Sequence, residues 1–575
     1  MGVTPESDQL YRPWINNYPA GIDWDVEVDT TPVHLQILDA CKNHGSSNAL
    51  DFMGAKTTFK TLGKDIEAFA GALQSRFGVK KGSRVALLLP NTPFFPVAYY
   101  GTLLAGGTVV NCNPLYTVSE LSHITKDAGA DVLVTLNLKL VFDKAEALCE
   151  AGIVKELIVC DFPSALPLVK RVLFAIAKSG ELAKISQSSV AKNTTSFSSL
   201  LRAGNKVEPS QINPEKDVAV QQYTGGTTGL PKGAMLSHAN IAANVDQIDK
   251  WADGLFDPPS KTIAVLPFFH IFAMTVCMNV PLGKGSEVVL MPRFELKMLL
   301  DLLARTRANI LPAIPTLIHA IASNKKVTPE QVSSIETIIS GGAALPQDTR
   351  EAFAKLSSAT LAEGYGLTEC SPVLCCQALR GASLPGSIGM PLPGTDIQFV
   401  DLDDPTKFVA PGERGELAAK GKQVMLGYYN NEEATRDAFV NGYFRTGDVG
   451  YVDEKGNVFL VDRIKDLIIC SGYNVYPRHI EEAIYRHESV DECNVIGVKD
   501  TYRGEAPIAF IKLKKGKSLT KAQLKTFLGE YISKIEMPRE FIFKDELPKT
   551  LVGKLSKKEL REEYAEREKQ EKSNS

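Results

Sequence analysis

The 575-residue sequence lacks the marks of a secreted, zinc-binding or nucleic-acid-binding protein. Its ten cysteines are scattered between Cys41 and Cys493 without any CxxC pair, so neither a disulfide framework nor a zinc site is predicted. The formal net charge of -3 argues against nucleic-acid binding. The first residues carry no basic segment and no apolar segment of a signal peptide, and we therefore expect a cytoplasmic protein.

Uninterrupted apolar runs are also missing. The longest candidate, residues 263–282, is broken by Pro267, His270, Asn279 and Pro281. A membrane-spanning helix needs about 20 apolar residues in a row. We therefore predict a buried strand, a loop and a core helix in this segment.

Strand-like and helix-like segments alternate regularly over most of the chain. Buried runs such as 84–90, 108–111 and 131–135 alternate with helical segments, and a similar rhythm returns between 217 and about 376. This alternation predicts an α/β protein with two doubly wound parallel sheets.

Two further regions follow these sheets. Short strands with glycine turns between about 386 and 461 predict a small β-barrel. Strands and helices then alternate to the end of the chain, which predicts a separate α+β lid. We expect an N-terminal domain over residues 1–464 and a mobile C-terminal lid over residues 465–575.

One segment, 168–178, interrupts the rhythm with an amphipathic helical pattern. Its apolar face and the cations beside it are Leu168, Val172, Leu173 and Ile176 with Lys170, Arg171 and Lys178. A basic amphipathic helix is typical of an interfacial membrane contact. An ordinary helix packed on the protein body fits the pattern equally well, and both interpretations stay open.

A glycine- and threonine-rich loop around residue 226 is typical of phosphate binding. Glycines allow backbone N–H groups to turn towards a ligand, threonine hydroxyls add donors, and a lysine adds positive charge. The candidate residues are Tyr223, Thr224, Gly225, Gly226, Thr227, Thr228, Gly229 and Lys232. The loop departs from the Walker pattern, because Gly233 follows the lysine where that pattern has Ser or Thr.

Other stretches carry residues suited to a nucleotide and a metal. In segment 363–369, Tyr365 offers a ring for stacking and Glu369 offers a hard oxygen ligand for Mg²⁺. The carboxylate of Asp448 can accept two hydrogen bonds from a ribose diol. Lys554 lies in a loop whose proline and glycine suggest a fixed shape.

These motifs, in this order over nearly the whole chain, resemble the adenylate-forming superfamily of acyl-CoA synthetases, peptide-synthetase adenylation domains and luciferases. Segments 18–20, 111–116, 423–428 and 441–477 resemble bacterial long-chain fatty-acid–CoA ligases in particular. Arg445 departs from that group, in which many members carry histidine, and this weakens the chain-length assignment.

The resemblance implies a role for each matching residue. The loop that ends at Lys232 would bind ATP phosphates, and Glu369 would bind Mg²⁺ beside Thr368. The resemblance also implies contacts to adenine and the acyl carboxylate from Gly341, Gly342, Ala343, Gly364, Tyr365 and Gly366, with His270 beside the acyl carboxylate. Asp448 and Arg463 would contact the ribose and phosphate, and Lys554 would be the catalytic lysine. Lys465 would be a hinge, and the path of CoA would run along Gly472, Tyr473 and Asn474.

The implied reaction joins a fatty acid to CoA at the expense of ATP. The acid would form acyl-AMP with release of pyrophosphate, and CoA would then displace AMP. ATP and CoA would be cosubstrates and Mg²⁺ the cofactor. No side-chain nucleophile is required, which agrees with the lack of a Ser-His-Asp or Cys-His pattern.

Alternatives stay open at this point. The acid could be medium-chain or aryl, and an acyl-AMP ligase could load a carrier protein, although residues 466–477 lack the insertion expected of that class. A membrane-associated fatty-acid or nucleotide sensor is the non-enzymatic alternative. It would be expected to lose Lys554 or Glu369, and both are present. A homodimer is also left open.

Overall fold

The computed structural model describes residues 10–224, 231–380, 383–471, 473–500, 502–550 and 555–573. Over these ranges the backbone forms four sheets with helices packed against them. The predicted α/β class with two large sheets is confirmed. The bounds of the helices are α1 (Val33–Asn43), α2 (Phe59–Phe77), α3 (Phe94–Leu104), α4 (Val118–Ala128), α5 (Lys139–Glu150), α6 (Leu168–Ala177), α7 (Phe197–Ala203), α8 (His238–Ala252), α9 (Val280–Gly283), α10 (Leu296–Thr306), α11 (Pro315–Ala322), α12 (Pro329–Val332), α13 (Gln347–Leu356), α14 (Glu432–Asp437), α15 (Pro477–Tyr485), α16 (Lys521–Leu528) and α17 (Lys557–Ser573).

The first large sheet is parallel at its centre and antiparallel at both edges. Its described strands are β1 (Asn48–Phe52), β2 (Ala55–Thr58), β10 (Lys261–Ala264), β11 (Glu287–Leu290), β12 (Ile310–Ala313), β13 (Thr337–Gly341), β14 (Thr360–Gly366), β15 (Val373–Cys376) and β16 (Met390–Pro391). They lie in the order β16-β15-β14-β13-β12-β10-β11-β1-β2. The strands at its centre, β10 to β13, are almost entirely buried, as expected where helices cover both faces of such a sheet.

The second large sheet is antiparallel at one edge only. Its described strands are β3 (Arg84–Leu87), β4 (Thr108–Asn111), β5 (Val132–Leu136), β6 (Glu156–Cys160), β7 (Thr194–Ser196), β8 (Val218–Thr224), β9 (Lys232–Ser237) and β19 (Gly427–Tyr428). They lie in the order β19-β9-β8-β4-β3-β5-β6-β7, parallel from β8 to β7 and antiparallel where β9 and β19 are added. The strand β19 comes from a distant part of the chain and adds to β9 in antiparallel register.

Two smaller sheets follow. Where a small barrel was expected, the structure has an antiparallel sheet of β17 (Asp396–Val400), β18 (Gly415–Lys420), β20 (Phe439–Val440), β21 (Tyr443–Val452) and β22 (Val458–Arg463). The C-terminal sheet contains β23 (Ile468–Cys470), β24 (Tyr473–Val475), β25 (Val490–Asp500), β26 (Gly504–Leu513) and β27 (Glu540–Phe543). A short 3-10 turn, Ile464–Asp466, connects these two sheets.

Local sequence explains the longest body helix, α2. Thr58 accepts a hydrogen bond from the Thr61 backbone N–H at its start, and Gly78 ends it with φ of 64°. Phe59, Ile66 and other apolar residues of one face are buried in the main core. Capping therefore sets the ends of this helix, and burial of one apolar face stabilises it.

The apolar segment 263–282 behaves as predicted. It contains the end of β10, a π-helix at Ala273–Asn279 and α9, all of them buried. None of the described helices is both long and apolar enough to cross a membrane.

Helix α6 forms where the amphipathic pattern predicts it, but it is packed less closely than most of the described helices. None of its residues is buried, and only Phe174 lies partly in the core, against Phe162. Leu168, Val169 and Ile176 are each more than 70% exposed. An exposed aliphatic face of this kind is uncommon on a folded protein.

Candidate active site

Three side chains at the boundary between the first large sheet and the smaller antiparallel sheet are joined by hydrogen bonds. The Tyr365 hydroxyl donates to Asp448 Oδ2 at 2.5 Å, and Arg463 Nε lies 2.8 Å from Asp448 Oδ1. Asp448 and Arg463 face each other in the register of β21 and β22. Burial and the charge of Asp448 raise the pKa of Tyr365 well above its ordinary value, so its hydroxyl stays a proton donor.

Two glycines beside this group are closely packed against their neighbours. Gly341 at the end of β13 lies opposite Gly364 in β14. A Cβ at Gly341 would come within 3.0 Å of the Phe272 ring, and one at Gly366 would come within 2.0 Å of the Pro372 carbonyl oxygen. Gly366 therefore has no room for a side chain, and Gly341 could carry one only if the Phe272 ring moved.

The turn after β13 is exposed. Gly342 has φ of 82°, in the left-handed region that favours glycine, and both Gly342 and Ala343 are solvent-accessible. The turn lies at the carboxyl end of a parallel strand, where open α/β sheets bind ligands.

The phosphate loop is anchored at both ends by paired strands. Thr224 ends β8 and lies opposite Lys232, the first residue of β9. Gly225, Gly226, Thr227, Thr228 and Gly229 lie outside the described residues. Lys232 is exposed, and its ammonium nitrogen lies 5.2 Å from the centre of the Tyr428 ring.

The Tyr223 side chain points into the protein interior. Its hydroxyl donates to Asp127 Oδ2 at 2.5 Å and accepts from Gln221 Nε2 at 2.9 Å. The ring is buried in the core of the second large sheet. The Tyr223 side chain is therefore suited to anchoring β8, the strand that leads into the predicted phosphate loop.

Glu369 lies in a 3-10 turn that also contains Thr368. Both side chains are partly exposed, and Glu369 Oε1 accepts a hydrogen bond of 2.9 Å from the Tyr428 hydroxyl. Burial and the charge of Glu369 raise the pKa of Tyr428, which keeps the hydroxyl protonated as the donor.

A carboxylate beside a hydroxyl suits Mg²⁺, which prefers hard oxygen ligands. Within the described ranges no group of three or more His, Cys, Asp or Glu could hold a metal by itself. A single carboxylate such as Glu369 is compatible with a nucleotide-dependent site, in which the substrate phosphates supply the other charged ligands.

His270 is half-buried in the loop before the π-helix. Its Nδ1 accepts from the Phe272 backbone N–H at 3.3 Å, which leaves Nε2 to carry the proton when the ring is neutral. Gln222 of β8 donates to the neighbouring Phe269 carbonyl at 3.0 Å. The His270 loop is thus connected to the strand that leads into the phosphate loop.

The connection to the C-terminal sheet contains Lys465, in the turn Ile464–Asp466. Burial and the charge of Arg463 lower the pKa of Lys465. Tyr473 and Asn474 lie in β24, which pairs with β23, and Tyr473 is 62% exposed. Gly472 and Lys554 lie outside the described residues.

Contacts from the C-terminal region reach the rest of the protein at a few points. His319 Nε2 of α11 lies 3.4 Å from Asp491 Oδ1 of β25. Near the turn, the Arg478 backbone N–H donates to Asp462 Oδ2 at 2.8 Å, and the Arg414 guanidinium lies 5.4 Å from the centre of the Tyr476 ring. These contacts are polar or involve partly exposed groups, which is typical of an interface that can open.

Two functional candidates were missed by the sequence analysis. Glu416, whose side chain is 3% exposed, accepts from Arg445 Nη2 at 2.6 Å and from the Gly447 backbone N–H at 3.0 Å, and so holds the turn before Asp448. The second is Tyr428, described above. The sequence analysis assigned no role to Glu416, and it noted Tyr428 only as the end of segment 423–428. The pairing of distant strands reveals what each side chain contacts.

Comparison with known proteins agrees with this geometry. The family model of the AMP-binding enzymes matches residues 37–429, and that of the AMP-binding enzyme C-terminal domain matches residues 479–554. A long-chain-fatty-acid–CoA ligase of Bacillus subtilis (strain 168) is 38% identical over 561 residues, covering 97% of this chain and 99% of that protein. One from Escherichia coli O157:H7 is 36% identical, covering 96% of this chain and 98% of that protein.

A solved structure extends the comparison to three dimensions. The ATP-bound crystal structure of MatB from Rhodopseudomonas palustris superposes with a TM-score of 0.81 at 30% identity, covering 93% of this chain and 98% of that one. The two family models and the near full-length relatives agree with each other and with the geometry of the site. The chain therefore belongs to the AMP-binding enzyme family, as an AMP-forming acyl-CoA synthetase.

Proposed function

We propose that this acyl-CoA synthetase takes long-chain fatty acids as its acid substrate, with ATP and CoA as cosubstrates and Mg²⁺ as cofactor. The proposal depends chiefly on two hydrogen bonds made by the segment 365–369. Tyr365 is joined to Asp448 and Glu369 to Tyr428. Adenosine and phosphate groups would therefore be bound at neighbouring positions. The relatives named long-chain-fatty-acid–CoA ligases support the choice of acid.

In the first half-reaction the acid's carboxylate oxygen would attack the α-phosphorus of ATP. Its bond to phosphorus forms as the bond to pyrophosphate breaks, leaving acyl-AMP. The reactants are anions that repel each other, so positive groups must act where charge grows. Lys232 and Lys554 would supply them, and Glu369 would hold Mg²⁺, which neutralises phosphate charge when bound.

The nucleoside end would be positioned by the hydrogen-bonded group. Asp448 would accept from the ribose hydroxyls, with Arg463 directed to the ribose and phosphate. The adenine would lie beside Tyr365 and the glycines Gly341, Gly342, Gly364 and Gly366, next to Ala343. His270 would face the acyl carboxylate. Positioning of this kind lowers the barrier without a covalent enzyme intermediate.

In the second half-reaction the CoA thiol would attack the acyl carbon and AMP would leave. One arrangement of the C-terminal region cannot hold Lys554 on the α-phosphate and also admit CoA to the same carbon. We therefore propose that residues 465–575 act as a lid on residues 1–464. The lid would turn about Lys465 and bring Gly472, Tyr473 and Asn474 to the thiol's path.

A pyrophosphate-release assay with acids of different chain length, with and without CoA, tests the substrate. We expect the highest kcat/KM for long-chain acids and acyl-CoA as the product when CoA is present. Preference for medium-chain or aryl acids would replace the long-chain assignment. Product on a carrier protein alone would favour an acyl-AMP ligase, and no pyrophosphate with any acid would favour a sensor.

We also propose that helix α6 contacts a membrane surface, where long-chain acids partition. Its cations are engaged within the chain. Lys170 Nζ donates to the Met53 carbonyl at 2.9 Å, Arg171 donates to the Ser164 carbonyl at 2.8 Å, and Lys178 lies 3.0 Å from Glu181. Aliphatic side chains that are 52–76% exposed remain free for the contact. The contact would therefore depend on apolar insertion more than on charge.

Co-sedimentation with phosphatidylcholine–phosphatidylglycerol vesicles tests this contact. The double variant Leu173→Ser/Ile176→Ser should lose most of the binding, whereas reversal of all three cations should have a smaller effect. Leu140→Ser is the matched control, because Leu140 is also 69% exposed but lies on α5. Unchanged sedimentation of the double variant would contradict the proposal. A change in oligomeric state instead would indicate that a second copy covers α6.

A further inference from the structure

Tyr428 connects two groups that approach from different parts of the chain. Its hydroxyl donates to Glu369 Oε1 at 2.9 Å, and its ring lies 5.2 Å from the Lys232 ammonium nitrogen. The candidate magnesium ligand and the candidate phosphate-binding lysine therefore share one neighbour.

The backbone fixes this ring in place. Tyr428 lies opposite Ala234 in the antiparallel pair of β19 and β9, and its N–H donates to Thr435 Oγ1 at 2.9 Å. The preceding Gly427 has φ of 142°, and a Cβ there would come within 2.6 Å of the Thr435 side chain. The ring is thus held by the same strand that begins at Lys232.

We propose that Tyr428 is a positioning residue for the magnesium–nucleotide complex. Its hydroxyl orients the Glu369 carboxylate so that the other oxygen faces the ion, and its ring fixes the direction of Lys232. Without the ring, the Glu369 carboxylate and the Lys232 ammonium would be free to approach each other. The inference rests on the proposed role of Glu369.

The adjacent residue supplies a matched control. Tyr429 also has a cation over its ring, with the Arg84 guanidinium 5.1 Å from the ring centre, and its hydroxyl accepts from Arg84 Nη2 at 3.0 Å. The two tyrosines are neighbours in sequence and have similar chemistry. They differ in that Tyr428 contacts Glu369 and Lys232.

Calorimetric titration of the full-length protein with ATP, in MgCl₂ or in EDTA, tests the hydroxyl. Tyr428→Phe should weaken ATP binding about three- to tenfold in MgCl₂, the loss typical of one hydrogen bond, and change it less than about twofold in EDTA. Tyr429→Phe should leave both affinities unchanged. Equal affinities for the wild type and Tyr428→Phe in MgCl₂ would overturn the proposal.

Two further variants separate this inference from the role of Glu369. If Glu369→Gln weakens binding in MgCl₂ and Tyr428→Phe does not, only the positioning role fails. If Glu369→Gln itself has no effect, the assigned magnesium ligand is wrong and the inference falls with it. Tyr428→Phe in the Glu369→Gln background should add nothing, and an additive loss would also overturn the shared mechanism.

The ring's part is tested by Tyr428→Leu, with thermal unfolding as the check of the fold. Because Lys232 loses the ring, binding in EDTA should now weaken as well, by about two- to fivefold, the range expected for an exposed cation–π contact. If Tyr428→Leu binds ATP in EDTA as tightly as Tyr428→Phe does, the ring has no positioning role.

Discussion

The antiparallel sheet that carries Asp448 and the C-terminal sheet that carries Tyr473 are neighbours along the chain, but their candidate residues differ in burial and in hydrogen bonding. Asp448 is 4% exposed and already bonded to Tyr365 and Arg463. Tyr473 is 62% exposed, and Asn474 beside it is exposed too. A site used in the first step is thus preorganised, whereas a site used only after a rearrangement need not be.

The same contrast applies to stability. The Asp448 group joins strands of two sheets, whereas the C-terminal region contacts the rest of the protein through scattered polar pairs such as His319 with Asp491. Exposed ion pairs contribute little, about 0–1 kcal/mol each. We infer that the lid can change its arrangement at low cost while the nucleotide site stays fixed.

The largest effect is expected at Glu369. Glu369→Ala should lower the rate of acyl-AMP formation at least about 100-fold, because loss of one charge-stabilising contact raises a barrier by roughly 3 kcal/mol. Rapid-quench measurement of pyrophosphate in a single turnover checks this, with the exposed Glu433→Ala as control. Acyl-AMP formation at the wild-type rate would show that Glu369 does not act on the phosphates.

A smaller effect is expected at the nucleoside end. Asp448→Ala should raise KM for ATP about 10- to 100-fold, because a buried acceptor of two hydrogen bonds is lost. Tyr365→Phe keeps the ring and removes only the hydrogen bond from Tyr365 to Asp448, so we expect the KM for ATP to rise about tenfold or less. If both variants keep the wild-type KM for ATP, the fixed state of this group has no part in nucleotide binding.

The smallest effect is expected between lid and body. His319→Ala removes a contact that spans the two regions and should change the ratio of the two half-reaction rates by less than about fivefold. His479→Ala is the control, since His479 contacts Glu536 at 2.6 Å within the C-terminal region. Stopped-flow measurement of the rate of each half-reaction checks this ratio. Identical ratios for His319→Ala and the wild type would mean that this contact does not bias the lid.

Sequence reasoning predicted the α/β class because strand and helix periods are local properties of the chain. It predicted the segment around Tyr365 and the position of Asp448 from residue chemistry and family resemblance. The direction of Tyr223 could not be predicted, since its interior partner Asp127 lies 96 residues away in the sequence.

Long-range strand pairing explains what was missed. Tyr428 reaches Glu369 because β19 adds to the edge of β9, and nothing in the residues around 428 indicates that pairing. The amphipathic pattern of residues 168–178 predicted the helix but not its exposure, because burial depends on how the rest of the fold covers it. The structure also explains Arg445, which pairs with the buried Glu416.

The most direct test of the account measures the two half-reactions separately in Lys554→Ala and Lys465→Pro. We predict that Lys554→Ala fails to form acyl-AMP from ATP but converts synthetic acyl-AMP and CoA to acyl-CoA near the wild-type rate. Lys465→Pro, with its φ fixed at the hinge, should release pyrophosphate in a first turnover and then stall before the thioester. Equal loss of both steps in both variants would contradict a lid that alternates between two arrangements.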